Sequence, residues 1–359
     1  MLAKLRKACG QSYRSAILWV ASTTLAKTCL AWSQHRGWAK FLLRNPTLTE
    51  YKKPYLEPRQ LAYKLISQGL IIGNRRQAEQ IIFRENYFRF KAYAIPFFDQ
   101  TSERFHTGTT FDDLHDLYCA DQQLRDFLLP ILAQLEVRIR ATVDNVITDI
   151  TKDPFWNLNP EHFQNFSNVE RALSKAQRRF DAGKQDFVVH YRNRYYTRRS
   201  FAYRRAPPFW IISEIFTLEH LLSVCRTLNE NHPVFLENSG KKNKLKRIGT
   251  EFGLDSYGAL RTNLSCILEL RNLCAHHSRL WNRNLQNPGG LKGKHTIAPA
   301  HNNRLYSHLL MLRIACKKQG ILDGIQPFML GMFAASPIFT RDMANMGFPI
   351  NWHTDPVWI

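Results

Sequence analysis

From Leu117 to Val146, apolar side chains return every third, fourth or seventh residue: Leu117, Leu124, Leu128, Ile131, Leu135, Ile139, Val143 and Val146. A stripe of that period and length suits a long α-helix laying one face on a core, and it does not suit a strand, whose faces alternate at period two. Thr109-Thr110-Phe111-Asp112-Asp113 stands ahead of the stripe as a cap-like start. Within it, Glu136 and Arg140 lie at i and i+4. They read either as a helix-stabilising ion pair worth roughly 0.2–0.5 kcal/mol or as a brace for a site.

The remaining elements read the same way. Pro58 opens a helix with Leu61, Leu65 and Ile66 that stops at Gly69. Ile71-Ile72-Gly73-Asn74 reads as a turn, and Arg75 to Phe90 as a second helix with Ala78, Ile81, Ile82 and Phe88 on its apolar side. Paired short helices are common, so this pair does not by itself imply DNA reading. After Pro207-Pro208-Phe209-Trp210, the residues Ile211, Ile215, Leu218, Leu222 and Cys225 form a seam of heptad spacing, which serves as core or as a dimer face. With no strand-like alternation of useful length and no glycine-rich phosphate loop, the expected fold is all-α, a helical bundle.

The charge narrows the partners. Fifty Lys and Arg against 29 Asp and Glu give +21, a balance that favours polyanions. Seven scattered cysteines, none in a CxxC pair, argue against a disulfide framework or a structural zinc site and suit a cytoplasmic compartment. The histidines lack metal-ligand spacing, so neither a metal nor a cofactor is expected. Residues 1–48 read as a basic amphipathic extension: Lys4, Arg6, Lys7 and Arg14 precede Ala16–Ala21, but Ser22, Thr23, Thr24 and Lys27 dilute that run. It falls short of the ~20 apolar residues that span a bilayer, and membrane contact is not expected. The main domain is placed at 49–359.

A basic, aromatic-rich insertion occupies about 171–205. Arg171, Lys175, Arg178, Arg179, Lys184, Arg192, Arg194, Arg198, Arg199, Arg204 and Arg205 alternate with Phe180, Phe187, Tyr191, Tyr195, Tyr196, Phe201 and Tyr203. Guanidinium groups neutralise phosphates, and aromatic faces stack on unpaired bases at about 1–3 kcal/mol each. The interleaving suits single-stranded RNA; the competing reading is a solvated helical face whose aromatics pack inward.

The chemistry concentrates in Leu260–Arg283, LRTNLSCILELRNLCAHHSRLWNR. Leu260, Leu264, Ile267 and Leu268 mark the buried side of a helix. If that helix continues, Asn272, His276, Arg279 and Arg283 at i, i+4, i+7 and i+11 share one stripe, with Arg271 about 100° round from it. RNA is cut without metal when its 2′-OH attacks the adjacent phosphorus. That route needs a proton carrier near neutral pH, which imidazole supplies, and fixed positive donors for the phosphorane, which guanidinium supplies. One imidazole reaches one side of a phosphorus, so two copies facing across a two-fold axis are expected to make the complete site. The plainer alternative leaves His276 and His277 as helix-terminal residues.

The sequence also resembles a known family. The matching residues are Tyr51-Lys52-Lys53-Pro54, Gly69-Leu70-Ile71-Ile72, Asn86-Tyr87-Phe88-Arg89, Thr110-Phe111-Asp112, Asp121 with Leu124-Arg125, Glu136 with Arg140, Pro207–Trp210, the block Arg271–Arg283, and Met346-Gly347-Phe348-Pro349 with Trp352. Together they resemble the Abi-like abortive-infection proteins of the AbiD/AbiF type, within the HEPN ribonuclease superfamily, from about Thr49 to the C-terminus. The resemblance implies a HEPN-like helical bundle with additional helices that dimerises and cleaves RNA without metal, in phage defence or as a toxin–antitoxin effector. Some relatives work with a small structured RNA, and type VI CRISPR nucleases share the R-x₄₋₆-H motif. Carried over, Arg271 and His276 are the motif's Arg and His, and Asn272 is the polar position after the Arg. His277 also satisfies the spacing, so both imidazoles stay open as the proton carrier. The expected site is therefore Arg271, Asn272 and His276 as catalytic residues. His277, Arg279, Arg283, Arg192, Arg194, Arg198, Arg199, Arg204 and Arg205 are the expected RNA contacts. A non-catalytic binding protein for a structured small RNA is the alternative.

Overall fold

A computed structural model of the chain describes residues 53–196, 206–237 and 243–359. The expected extension, its 48/49 boundary, and Arg198, Arg199, Arg204 and Arg205 lie outside the described residues. The chain divides into Met1–Glu57 and Pro58–Ile359. Among the described residues of the second unit the regular elements are helices apart from one two-stranded sheet, in which β1 (Phe98–Asp99) pairs antiparallel with β2 (Arg104–Phe105), Phe98 opposite Phe105.

The long stripe forms α4 (Phe111–Thr151), about 60 Å of helix at 1.5 Å per residue. Thr110 and Asp113 close a capping box at its start, each side chain bonding the other's backbone N–H at 3.1 and 2.8 Å. All eight stripe residues are buried, and burying one Val, Leu or Ile contributes roughly 1.5–3 kcal/mol. Pro130, which has no N–H to give the bonding ladder, sits at an exposed position of the helix. Ahead of α4 come α1 (Pro58–Ser67), α2 (Arg75–Glu85) and α3 (Tyr87–Lys91). After it come α5 (Phe166–Ala182), α6 (Asp186–Arg194), α7 (Phe209–Ile212), α8 (Leu218–Thr227), α9 (Lys246–Glu251) and α10 (Tyr257–Ala275). The C-terminal part holds α11 (Leu305–Gln319), α12 (Ile325–Ala335) and α13 (Pro337–Arg341). Helices α10, α9, α11, α13, α7 and α3 all pack on α4, and α8 bridges α5 and α10.

Two helices expected from the sequence are broken. Asn86 takes φ +62° and its side chain caps a new turn by accepting from Phe88 N at 2.9 Å, so the helix from Arg75 ends at Glu85. Phe88, expected on the apolar side, is 86% exposed. The heptad seam is also divided. Thr217 and His220 form a capping box that starts α8 afresh after the turn following α7. Leu218, Leu222 and Cys225 therefore share one buried face, while Ile211 and Ile215 belong to the preceding turns.

Candidate active site

Helix α10 starts where Ser256 Oγ accepts from Ala259 N at 3.1 Å, and it ends at Ala275. His276 is the cap residue and His277 adopts the left-handed conformation at φ +51°. Ser278 N bonds to Leu273 O at 2.8 Å and His277 N to Cys274 O at 3.0 Å, the paired bonds of a Schellman termination with histidine where glycine is usual. The stripe expected to run on through Arg279 and Arg283 is therefore not formed.

The reason lies in two distant competitors. In a continuing helix the N–H groups of Leu280 and Trp281 would bond to the carbonyls four residues back, those of His276 and His277. Instead both donate to the fully buried carboxylate of Asp121 on α4, Leu280 N at 3.1 and 3.2 Å and Trp281 N at 2.7 Å. The carbonyl of His277 accepts from the guanidinium of Arg89 on α3. Tyr93 Oη also donates to Asp121 at 2.6 Å, and the buried Arg125 completes the node with an ion pair. Burial pushes the Asp121 carboxyl up, while Arg125, Tyr93 and the two backbone N–H groups pull it down. Turning inward also sinks the Leu280 and Trp281 side chains into the core.

On the other side of the turn, Glu136 of α4 joins two arginines. Its Oε1 meets Arg140 Nη2 at 2.5 Å, and its Oε2 lies 3.4 Å from Arg271 Nε, an ion pair without hydrogen-bond alignment. Arg140 also donates to the carbonyl of Ser213, just after α7. The Glu136–Arg140 pair thus belongs to the setting of Arg271, which is 26% exposed. Asn272 is half-buried, and His276 and His277 are exposed. Among the described residues, the amide of Asn272 and both imidazoles have no hydrogen-bond partner, so the open end of α10 presents them to whatever binds there.

Arg279 and Arg283 follow the turn. The Arg279 guanidinium lies 5.8 Å from the centroid of the Trp281 ring. Burial lowers its pKa, Tyr93 and Asp121 raise it, and the like charges of Arg283 and Arg304 lower it again. Arg304, the cap residue of α11, donates to Asn282 Oδ1 at 3.0 Å. Sequence reasoning did not single out Arg304 or assign roles to Arg89 and Asp121. The last two sit inside family motifs, and that was the available signal.

The basic insertion divides into structural and exposed parts. Phe180 and Tyr191 are buried, as the inward-packing alternative expects, whereas Phe187, Tyr195 and Tyr196 are exposed. Arg192 is engaged on the carbonyls of Asp181 and Gly183 at the end of α5, while Arg194 is exposed. Burial pushes the thiols of Cys225, Cys266, Cys274 and Cys316 up to about 12, which keeps them protonated at neutral pH and unsuited to nucleophilic attack. Among the described residues, no group of three or more His, Cys, Asp and Glu is placed to hold a metal, and no helix is long and apolar enough to cross a membrane.

One family model, described as Abi-like protein, matches residues 80–282, which is more than half of the chain and runs from within α2 to the turn after α10. No curated protein and no solved structure matches the chain.

Proposed function

The chain belongs to the Abi-like protein family, which points to abortive infection, and from that premise we propose that it is a metal-independent endoribonuclease of HEPN type acting in the cytoplasm. The observation that carries this reading is the end of α10. A guanidinium paired with Glu136 shares the helix end with a half-buried amide and two exposed imidazoles, all three unpartnered among the described residues. A site of that composition meets the needs of phosphoryl transfer to a ribose hydroxyl.

In the proposed reaction the 2′-OH of RNA loses its proton to an imidazole as its oxygen bonds to the adjacent phosphorus. The P–O5′ bond then breaks, and the leaving O5′ takes a proton from an acid on the opposite side. The products are a 2′,3′-cyclic phosphate and a 5′-OH end. His276 carries the proton, Arg271 stabilises the charge on the phosphorane oxygens, and Asn272 orients His276 or the phosphate. Arg279 and Arg283 hold neighbouring phosphates. Base and acid on opposite sides of one phosphorus call for a second imidazole, which a two-fold homodimer supplies. The effector stands alone or under an antitoxin.

Sequencing of RNA ends after induced expression of wild type and His276→Ala tests the reading. New 5′-OH ends are expected with wild type and not with the variant. RNA binding by wild type without any cleavage would favour the alternative, a binding protein for a structured small RNA. Mixing His276→Ala with Arg271→Ala protomers tests the dimer. Partial recovery of activity is expected if one site takes Arg from one chain and His from the other, and full activity of a strictly monomeric protein contradicts the composite site.

A further inference from the structure

A groove of about 500 Å³ opens between α5 and α8, floored by Ala172, Leu222 and Leu268. Its rim carries Arg171 and Lys175 from α5 and Arg226 from α8, all exposed, against the single carboxylate of Glu219. None of the three cations has a carboxylate within ion-pair distance among the described residues. Arg171 and Lys175 stand at i and i+4 on one face, where like charges destabilise a helix. The arrangement therefore has a stability cost and no internal neutralisation, as expected of a surface whose counter-charge arrives with a ligand.

The groove is also directed. Arg226 Nη2 donates to Ser265 Oγ of α10 at 2.6 Å, which fixes its guanidinium against that helix. Ser265, Leu268, Asn272 and His276 follow at spacings of three, four and four, so they form one row up α10. Leu268 in the groove floor is about 6 Å along the axis from Asn272, a distance that one nucleotide bridges. His220 completes the donor set. Its Nδ1 accepts from the backbone N–H of Thr217 at 3.4 Å, leaving the hydrogen on Nε2. Burial, with Arg179 and Lys175, lowers its pKa, and Glu219 opposes them.

We infer that this groove is a second phosphate-binding site, which holds the backbone of single-stranded RNA one or two nucleotides from the phosphate at the end of α10. This rests on the ribonuclease reading for the identity of the RNA but not for the groove's chemistry. The same donors would accept the phosphates of a free nucleotide, and the test separates the two sources.

Full-length protein carrying His276→Ala, with and without Arg171→Gln and Lys175→Gln, is titrated with single-stranded RNA of about 12 nucleotides, with a dinucleoside monophosphate, and with ADP. For an RNA track, the two substitutions weaken the longer RNA roughly tenfold and reduce its slope of log K against log salt by about 1.4, 0.7 for each lost contact. The dinucleoside is unaffected, and Arg171→Lys alone keeps the slope. If the source is a free nucleotide, ADP binds and the substitutions abolish its binding while the longer RNA is unchanged, which supports the phosphate site and corrects its ligand. An unchanged salt slope together with no loss of ADP binding overturns the site. Because every arm reads binding, a wild type that cleaves RNA while all arms stay flat defeats the groove alone. A wild type that fails to cleave while the slope falls defeats the ribonuclease reading alone.

Discussion

The turn after α10 and the face of α5–α6 are both rich in arginine, yet they are built on opposite principles. At the turn the backbone and the charged groups are held by distant partners, while Asn272 and the two imidazoles are left open: Asp121 accepts from two backbone N–H groups, Arg89 donates to a carbonyl, Glu136 pairs with Arg271, and Trp281 lies against Arg279. On α5–α6 the exposed guanidiniums stand above a row of buried apolar residues, Val169, Ala172, Leu173, Ala176 and Phe180, and their anchors are local: Arg171 on Asn168 and the Ser167 carbonyl, Arg192 on the end of α5. Fixed charge suits a transition state, because a preorganised donor needs no reorganisation at the moment of reaction. Loosely held charge suits a polyanion whose phosphates need only approximate neutralisation. Position along the sequence does not separate the two regions; the long-range partners do.

That contrast is best broken at Asp121. Asp121→Ala leaves Arg125 buried without its counter-charge and the N–H groups of Leu280 and Trp281 unsatisfied, so it should cost about 3–5 kcal/mol in denaturant unfolding and remove cleavage. A loss under about 1 kcal/mol would mean that the turn is not anchored from α4. Glu136→Gln is the milder probe. It should lower stability by about 1–2 kcal/mol and reduce kcat at nearly constant KM, because Arg271 loses its orientation while phosphate binding persists. A change confined to KM would make Glu136 irrelevant to positioning.

His277→Gly addresses the left-handed position itself. Relief of φ +51° should stabilise by up to about 1 kcal/mol, the gain offset by the flexibility glycine adds to the unfolded chain. Cleavage should persist if His276 carries the proton, and its loss would assign that role to His277. The smallest effect belongs to the other region. Arg178→Gln with Arg194→Gln should change stability by less than about 0.5 kcal/mol while flattening the salt dependence of RNA binding, and a large stability loss would show that these residues are anchored after all.

The sequence made the long α4 stripe, its Thr110 cap and the RN-x₃-H block legible, because each depends on residues close together in the chain. It did not reveal where α10 ends. Histidine at position 277 carries no glycine signal, and the competitors for the helix's carbonyl and N–H groups stand 188 residues away at Arg89 and about 160 away at Asp121. The breaks at Asn86 and Thr217 were similarly hidden, since an apolar period continues across both while local side-chain caps interrupt the backbone. The grouping of Arg271, Asn272 and His276 at one helix end could be read without knowing the turn, because all three lie on or directly cap α10. The fate of Arg279 and Arg283 could not.

Metal-free cleavage at the end of α10 is tested most directly by the rate at which purified wild type, Arg271→Ala and His276→Ala cut single-stranded RNA in the presence of EDTA. Wild type is expected to release 2′,3′-cyclic phosphate and 5′-OH ends, and each substitution to slow cleavage by ~10²–10⁴-fold, with binding of uncleaved RNA retained. Cleavage that survives both substitutions, or that requires a divalent ion, would contradict this chemistry.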